Sequence, residues 1–404
     1  MSVMKAPVRD LLSIEEAQEL VLERVVRLPD ETVPVEAAVS RVLTEPATAA
    51  IDLPTFDSSA MDGFALRAED TPGTLPVRFR IAAGSPAERT LEPGEAMGIA
   101  TGAVVPDGAD AVIPLEYVVE RDNTIEVPEA VSRGASIRTI GGDLRRGEVV
   151  VEAGTRLGAP QVAGLSAAGV AEARVSRKPR AAVLATGSEL RRPGEPLEPG
   201  QIYDANGILI DAQLASAGAV VERLSSVADD ESAHRSALAR GLEADVLVTS
   251  GGVSVGPHDL VRRVEAELGV EEVFWGVSVK PGKPISFGVA GGKRLVFGLP
   301  GNPVSVLVSF ELFVRPAVLA LQGVSDPLPR FERGRLGSEV DRNPTRDELL
   351  RGRVVLEDDG VVIEPLPGRE SHMIARAAQA DALVLVRRGE DRLRRGDLVE
   401  FLRI

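Results

Sequence analysis

The stretch DVLVTSGGVSVGPHD, residues 245–259, decides the fold. Its short apolar run stops at a glycine pair, which reads as a buried strand that ends abruptly in a loop. Ser250, Gly251, Gly252, Ser254 and Gly256 follow directly, and glycine there lets backbone N–H groups turn toward a ligand. Asp259 then opens the next helix. A tight turn closed by a capping Asp is the plainer account of the same residues.

Working outward, AAVLATGSEL (181–190) and RLVFGLPGNPVSV (294–306) repeat the pattern of strand, loop and helix. Thr186, Gly187, Ser188 and Glu189 stand at the end of the first, and Pro300 and Ser305 flank the turn of the second. Pro303 fits the first turn of a helix whose free N–H groups would face a ligand. Between them ILIDAQLASAG, SAHRSALARGL and HDLVRRVEAEL carry helical spacing. Such alternation predicts a doubly wound parallel α/β sheet over 178–328, with ligands outside the carboxyl ends of its strands. KPGKP (280–284) adds Lys280 and Lys283, either solvated charges or an anion clamp.

Ser13 and Glu16 have capping-box spacing ahead of an amphipathic run, so a helix starts there. Short strands crowded with Gly and Pro predict a small β domain over 55–143, inserted in a helical/β framework made of 1–54 and 144–177. GAPQVAGLSAAGV is helical in spacing and could pair with the first helix. The last part, 329–404, reads as a small β-barrel. PTFDSSAMDGFALR, TGAVVPDGADAVIPLE and IRTIGGDLRRGE offer Asp57, Asp62, Thr101 and Asp143 as a wall of carboxylate and hydroxyl, although for each acid taken singly a turn cap is the commoner role.

The chain has 404 residues, no cysteine, three histidines far apart and 61 Asp and Glu. Thiolate ligands, disulfides and cysteine nucleophiles are excluded, while hard oxygen ligands suited to magnesium abound. A net charge of -15 without a basic stretch argues against nucleic acid. No signal-peptide order and no run of about 18 apolar residues is present, so a cytoplasmic location and no membrane are expected.

LPTFDSSAMDGFA, TGAVVPDGADAV, TGSEL, PGQIYDAN, TSGGVSVGPHD, KPGKPISFG and GLPGNPVSV together resemble the MoeA family of molybdopterin molybdenumtransferases, and the E domains of gephyrin and plant Cnx. The resemblance implies a homodimer whose active site is shared between chains. It implies magnesium-dependent insertion of molybdate into adenylylated molybdopterin, with release of AMP. A molybdopterin adenylyltransferase would act upstream. By the same resemblance Asp62, Asp143, Glu189, Asp229 or Asp230, and Asp259 are candidates to hold Mg²⁺. Thr101, Lys280 and Lys283 would position phosphates, and Ser250, Gly251 and Gly252 would cradle the pterin phosphate through N–H groups. Pro300, Ser305, Lys283, Arg346 and Ser371 would receive molybdate. Thr345, Gly276, Ala375 and Arg376 depart from the family's usual residues, which bears on oxyanion preference. Pterin adenylylation and a non-enzymatic scaffold are the competing readings.

Overall fold

Alternate residues of the strand Arg180–Ala185 (β1) enter two different cores. That is what a strand with helices on both sides must do, because successive side chains point to opposite faces. The computed structural model describes residues 11–224, 231–251, 260–358 and 360–404. They divide into two units, one of residues 11–31, Ser40–Thr44 and the described part of 176–404, the other of Thr32–Val39 and Glu45–Val175.

In the first unit β1 lies in a six-stranded sheet with Val220–Arg223 (β2), Val246–Ser250 (β3), Val270–Trp275 (β4), Ser286–Ala290 (β5) and Arg294–Leu299 (β6). The order is β2-β1-β3-β6-β5-β4. The first four strands are parallel as expected. β5 runs antiparallel to both its neighbours, β6 and β4, which corrects the expectation of a wholly parallel sheet. The reason is local: only Gly291, Gly292 and Lys293 join β5 to β6, and a connection that short can only reverse the chain.

One face of the sheet is covered by the helices Ile14–Leu22 (α1), Ala205–Ser216 (α2), Pro303–Ser309 (α5) and Arg315–Leu321 (α6). The other carries Glu231–Gly241 (α3) and Leu260–Glu267 (α4). α1 begins with the expected capping box: Ser13 Oγ accepts from Glu16 N at 3.1 Å, and the Glu16 carboxylate accepts from Ser13 N at 2.8 Å. It packs on α6 and on the π-helical turn Phe310–Val314 between α5 and α6, within the α/β unit. The expected partner, the helix Ala159–Ala167, belongs to the other unit.

The cause of the π turn is chemical. Pro316 has no N–H to give the carbonyl of Leu312, and Gln18 of α1 fills the gap, its Nε2 donating to Leu312 O at 2.9 Å. Among the described residues the continuous helix Pro303–Leu321 alone is long and apolar enough to cross a membrane, and 83% of its apolar window is buried in the protein. Its hydrophobicity serves the core.

The C-terminal part is a closed five-stranded barrel, as the short strands predicted. Asp347–Glu357 pairs with both Gly360–Pro365 and Ala382–Val386, and Glu332–Leu336 and Leu398–Arg403 complete the ring. Val279–Lys280, which leads into the KPGKP segment, adds alongside Asp347–Glu357, a connection with no sequence signal.

The second unit is built on a six-stranded sheet in the order 111–114, 63–66, 96–99, 73–81, 124–127, 119–121. Phe64, Leu66 and Ile113 fill one face, and Ala65, Met97 and Val112 the other. The helix Ala159–Ala167 packs against the strand Val149–Val151.

Candidate functional site

In the α/β unit the carboxyl ends of β1, β3 and β6 are level, with Ala185 opposite Ser250 and Ser250 opposite Leu299. From β1 the chain leaves to one side for β2 and returns on the other for β3, so the crevice between β1 and β3 is the topological switch point. Ser250 is buried. Asn206, near the start of α2, ties the corner together: its Nδ2 donates to Ser250 Oγ at 3.0 Å and to Gly301 O at 2.7 Å. Its Oδ1 is buried without a hydrogen-bond partner among the described residues.

Two glycines are required by close approach. Gly251 has φ +89°, and a Cβ there would lie 2.9 Å from Thr186 Oγ1 and 3.0 Å from Thr186 O. Gly187 sits under the carboxylate of Glu189, which a Cβ would meet at 2.5 Å. Glu189 is thus folded back over the end of β1, exposed to solvent.

The N–H groups expected to cradle an anion are partly committed. Gly251 N donates to Leu299 O at 3.2 Å, and Val304 N, at the start of α5, donates to Ser371 O at 3.0 Å. The role of Ser371 visible here is to cap that helix with its carbonyl. Pro303 does occupy the first turn of α5, and Pro300 and Ser305 are buried beside it. Gly252, Ser254 and Asp259, with Asp229 and Asp230, lie outside the described residues.

KPGKP packs on α5 at Gly282, where a Cβ would meet Ser309 Oγ at 2.8 Å. Lys280 Nζ is 3.1 Å from Glu348 Oε1, a buried carboxylate, so it is not a free cation. Lys283 is exposed, and it and the guanidinium of Arg346 have no ion-pair partner among the described residues. Asn343 Oδ1 accepts from Arg346 N and Thr345 N, both at 3.0 Å, and Ser278 Oγ donates to Thr345 O at 3.3 Å. The 343–348 turn therefore borders the KPGKP loop. Arg351, which nothing in the sequence marks, is buried and donates to Gly368 O and Met373 O, holding the loop that carries Ser371. Burial holds its guanidinium below the usual arginine range.

In the second unit Asp62 and Thr101 meet. Gly63 pairs with Ile99, so the residues just outside those strands are neighbours. Asp62 Oδ1 accepts from Thr101 N at 2.7 Å and from Thr101 Oγ1 at 3.0 Å. These two bonds, the backbone one first, hold its carboxyl below the usual carboxylate range although it is exposed. Asp57 is a turn cap, Oδ1 accepting from Ile140 N at 2.7 Å. Asp143 is exposed, its N–H given to Leu53 O at 2.9 Å. Among the described residues no three His, Asp or Glu side chains gather as a metal cage.

Comparison with known proteins matches three consecutive family profiles. They are the MoeA N-terminal region (domain I and II) at residues 12–169, a probable molybdopterin binding domain at 182–320, and the MoeA C-terminal region (domain IV) at 333–404. The molybdopterin molybdenumtransferase 2 of Mycobacterium tuberculosis is 38% identical over 377 residues, covering 89% of this chain and 92% of the relative. The chain belongs to the MoeA family. The molybdopterin molybdenumtransferase of Staphylococcus epidermidis is 31% identical, covering 100% of this chain and 97% of that one. A MoeA protein of Pyrococcus horikoshii superposes with a TM-score of 0.83 at 29% identity, covering 98% of this chain and 100% of the other. Within this MoeA chain, the crevice just described falls inside the segment matched by the probable molybdopterin binding domain.

Proposed function

We propose that the chain is a molybdopterin molybdenumtransferase that inserts molybdate into adenylylated molybdopterin and releases AMP, the last step in making the molybdenum cofactor. The observation that carries the reading is the switch-point corner of Thr186, Ser250, Asn206 and Gly301, at the ligand-binding edge of a domain matched as molybdopterin binding. The relatives bear the transferase's name along their whole length.

The protein's own chemistry suits such a substrate. A dithiolene brings its own soft sulfur ligands, so a chain without cysteine loses nothing. Lys283 and Arg346, without an ion-pair partner among the described residues, supply positive charge around the KPGKP loop, where an oxyanion or phosphate would rest. Magnesium takes hard oxygen ligands from carboxylates together with substrate phosphates. Glu189, with Asp259 and Asp229 or Asp230, would hold it, and when bound it would offset charge on the leaving phosphate. Asp62, ionised and fixed by Thr101, would supply a further carboxylate from the second unit of a partner copy, giving a homodimer with shared sites. The substrate must come from a reaction that joins AMP to the pterin phosphate, and we place both in the cytoplasm.

The test is direct. Purified protein with molybdopterin adenylate should release AMP only when Mg²⁺ and molybdate are both present, whereas consumption of ATP with molybdopterin would move the chain to the adenylylation step. For the shared site, homodimers of Asp62→Asn or Asp259→Asn should be inactive. The mixed dimer, with one site carrying both lesions and one none, should recover about half of the activity per dimer.

A further inference from the structure

The opposite edge of the α/β sheet holds a cavity that the proposed reaction does not use. Its volume is about 670 Å³, within the range of small-molecule sites. It is formed where four segments of the same unit converge: the exit from α1, the approach to β1, the turn before β3, and the β5–β6 hairpin. Six cations line it, against three acids.

Two of those acids are already neutralised. Asp245 takes both guanidinium nitrogens of Arg177, at 2.7 and 2.8 Å, and Glu31 is paired with Arg41, which is not part of the lining. Arg27, Lys178, Arg180, Lys293 and Arg294 remain, with no ion-pair partner among the described residues, against Glu243 alone. Cations this close repel, and the cost falls only if a counter-charge sits among them. In a chain with a net charge of -15 acids are plentiful, yet among the described lining residues Glu243 is the one acid left to offset these five cations.

Leu28, Pro29 and Ala244 give the cavity an apolar side, and no aromatic ring lines it among the described residues. A ligand recognised here would present phosphoryl-type charge and a small apolar body, without base stacking. We infer that this amino-edge cavity is a second ligand site, selective for a small phosphorylated polyanion and separate from the carboxyl-edge crevice. β3 spans the distance between them, from Asp245 at the cavity to Ser250 at the crevice.

Calorimetric titration with inorganic pyrophosphate tests this on the full chain. The wild type should bind it, the Lys280→Ala/Lys283→Ala variant should retain that site, and Arg180→Ala/Lys293→Ala should weaken it by about tenfold with AMP release unchanged. Thermal melting confirms folding, and Lys178→Ala/Lys293→Ala, both exposed side chains, serves if the first pair melts early. Undiminished affinity in the cavity variants would overturn the inference, as would loss of the site in the Lys280/Lys283 variant alone. Binding of hexaglutamate in place of pyrophosphate would overturn it in favour of an acidic protein segment.

Discussion

The two edges of one sheet solve the problem of polar groups in opposite ways. At the carboxyl edge, β1, β3 and β6 end in loops stitched by neutral bonds: Asn206 to Ser250 and Gly301, Thr186 N to Ser250 O at 3.0 Å, Gly251 N to Leu299 O. At the amino edge the same strands begin around a bidentate ion pair, Arg177 with Asp245, and a set of cations with no ion-pair partner among the described residues. Neutral stitching fixes geometry without adding a field, which suits a crevice that must receive a polar substrate whose charge is met by nearby loops. An ion pair tolerates water and salt poorly as an orienting device, but it anchors strand starts.

The comparison breaks most easily at Gly251. Gly251→Ala places a Cβ against Thr186 in a left-handed conformation, so AMP release should fall by about a hundredfold, the scale of a misplacement of about 1 Å. Stability should drop by about 1–3 kcal/mol. Near-normal turnover would show that the β3 loop tolerates displacement and that the neutral stitching is incidental.

Asn206→Ala and Asn206→Asp both lose the donor to Gly301 O, and should both cut turnover by about tenfold, at a cost near 1–2 kcal/mol for the unmade bonds. Wild-type kinetics in either would separate the corner from the chemistry.

Arg177→Ala should act on the other side of the comparison, lowering stability by about 1–2 kcal/mol after allowance for its partial exposure, with turnover of the folded protein unaltered. Burial would raise the Asp245 carboxyl, but Arg177 and the N–H of Arg180 outweigh that and hold it below the usual range. A depressed folded value means the contribution is complete above the unfolded pKa, about 3.9, and is lost as pH falls through the lower folded value. Acid melting of the wild type should therefore steepen below about pH 4, and the variant should lack that component.

The smallest effect belongs to the second unit. Thr101→Val removes the hydroxyl bond to Asp62 and leaves the backbone one, so the Asp62 carboxyl should titrate slightly higher while melting is nearly unchanged. Carboxyl-detected NMR would read it, and an unmoved titration would show that the backbone N–H alone sets the charge.

The layered strand and helix rhythm, the glycine-rich strand ends, the capping box at Ser13 and the C-terminal barrel were all legible along the chain. Each rests on residues a few positions apart, where backbone geometry and side-chain period act directly. Asp62 and Thr101 were legible as separate candidates, and adjacent strands made them partners. Asn206 was not legible as a clasp, because its partners lie 44 and 95 residues away. The same holds for Arg351 under the Ser371 loop, and for Lys280, whose partner Glu348 is fixed by a strand pairing with the barrel. Sequence by itself determined which segments become strands, where they must turn and which residue types could meet an anion, since these are local properties of the chain. Only the tertiary structure decided which N–H groups are already spent, which cations are already paired and which are left over, because hydrogen bonds and charges are satisfied by neighbours in space.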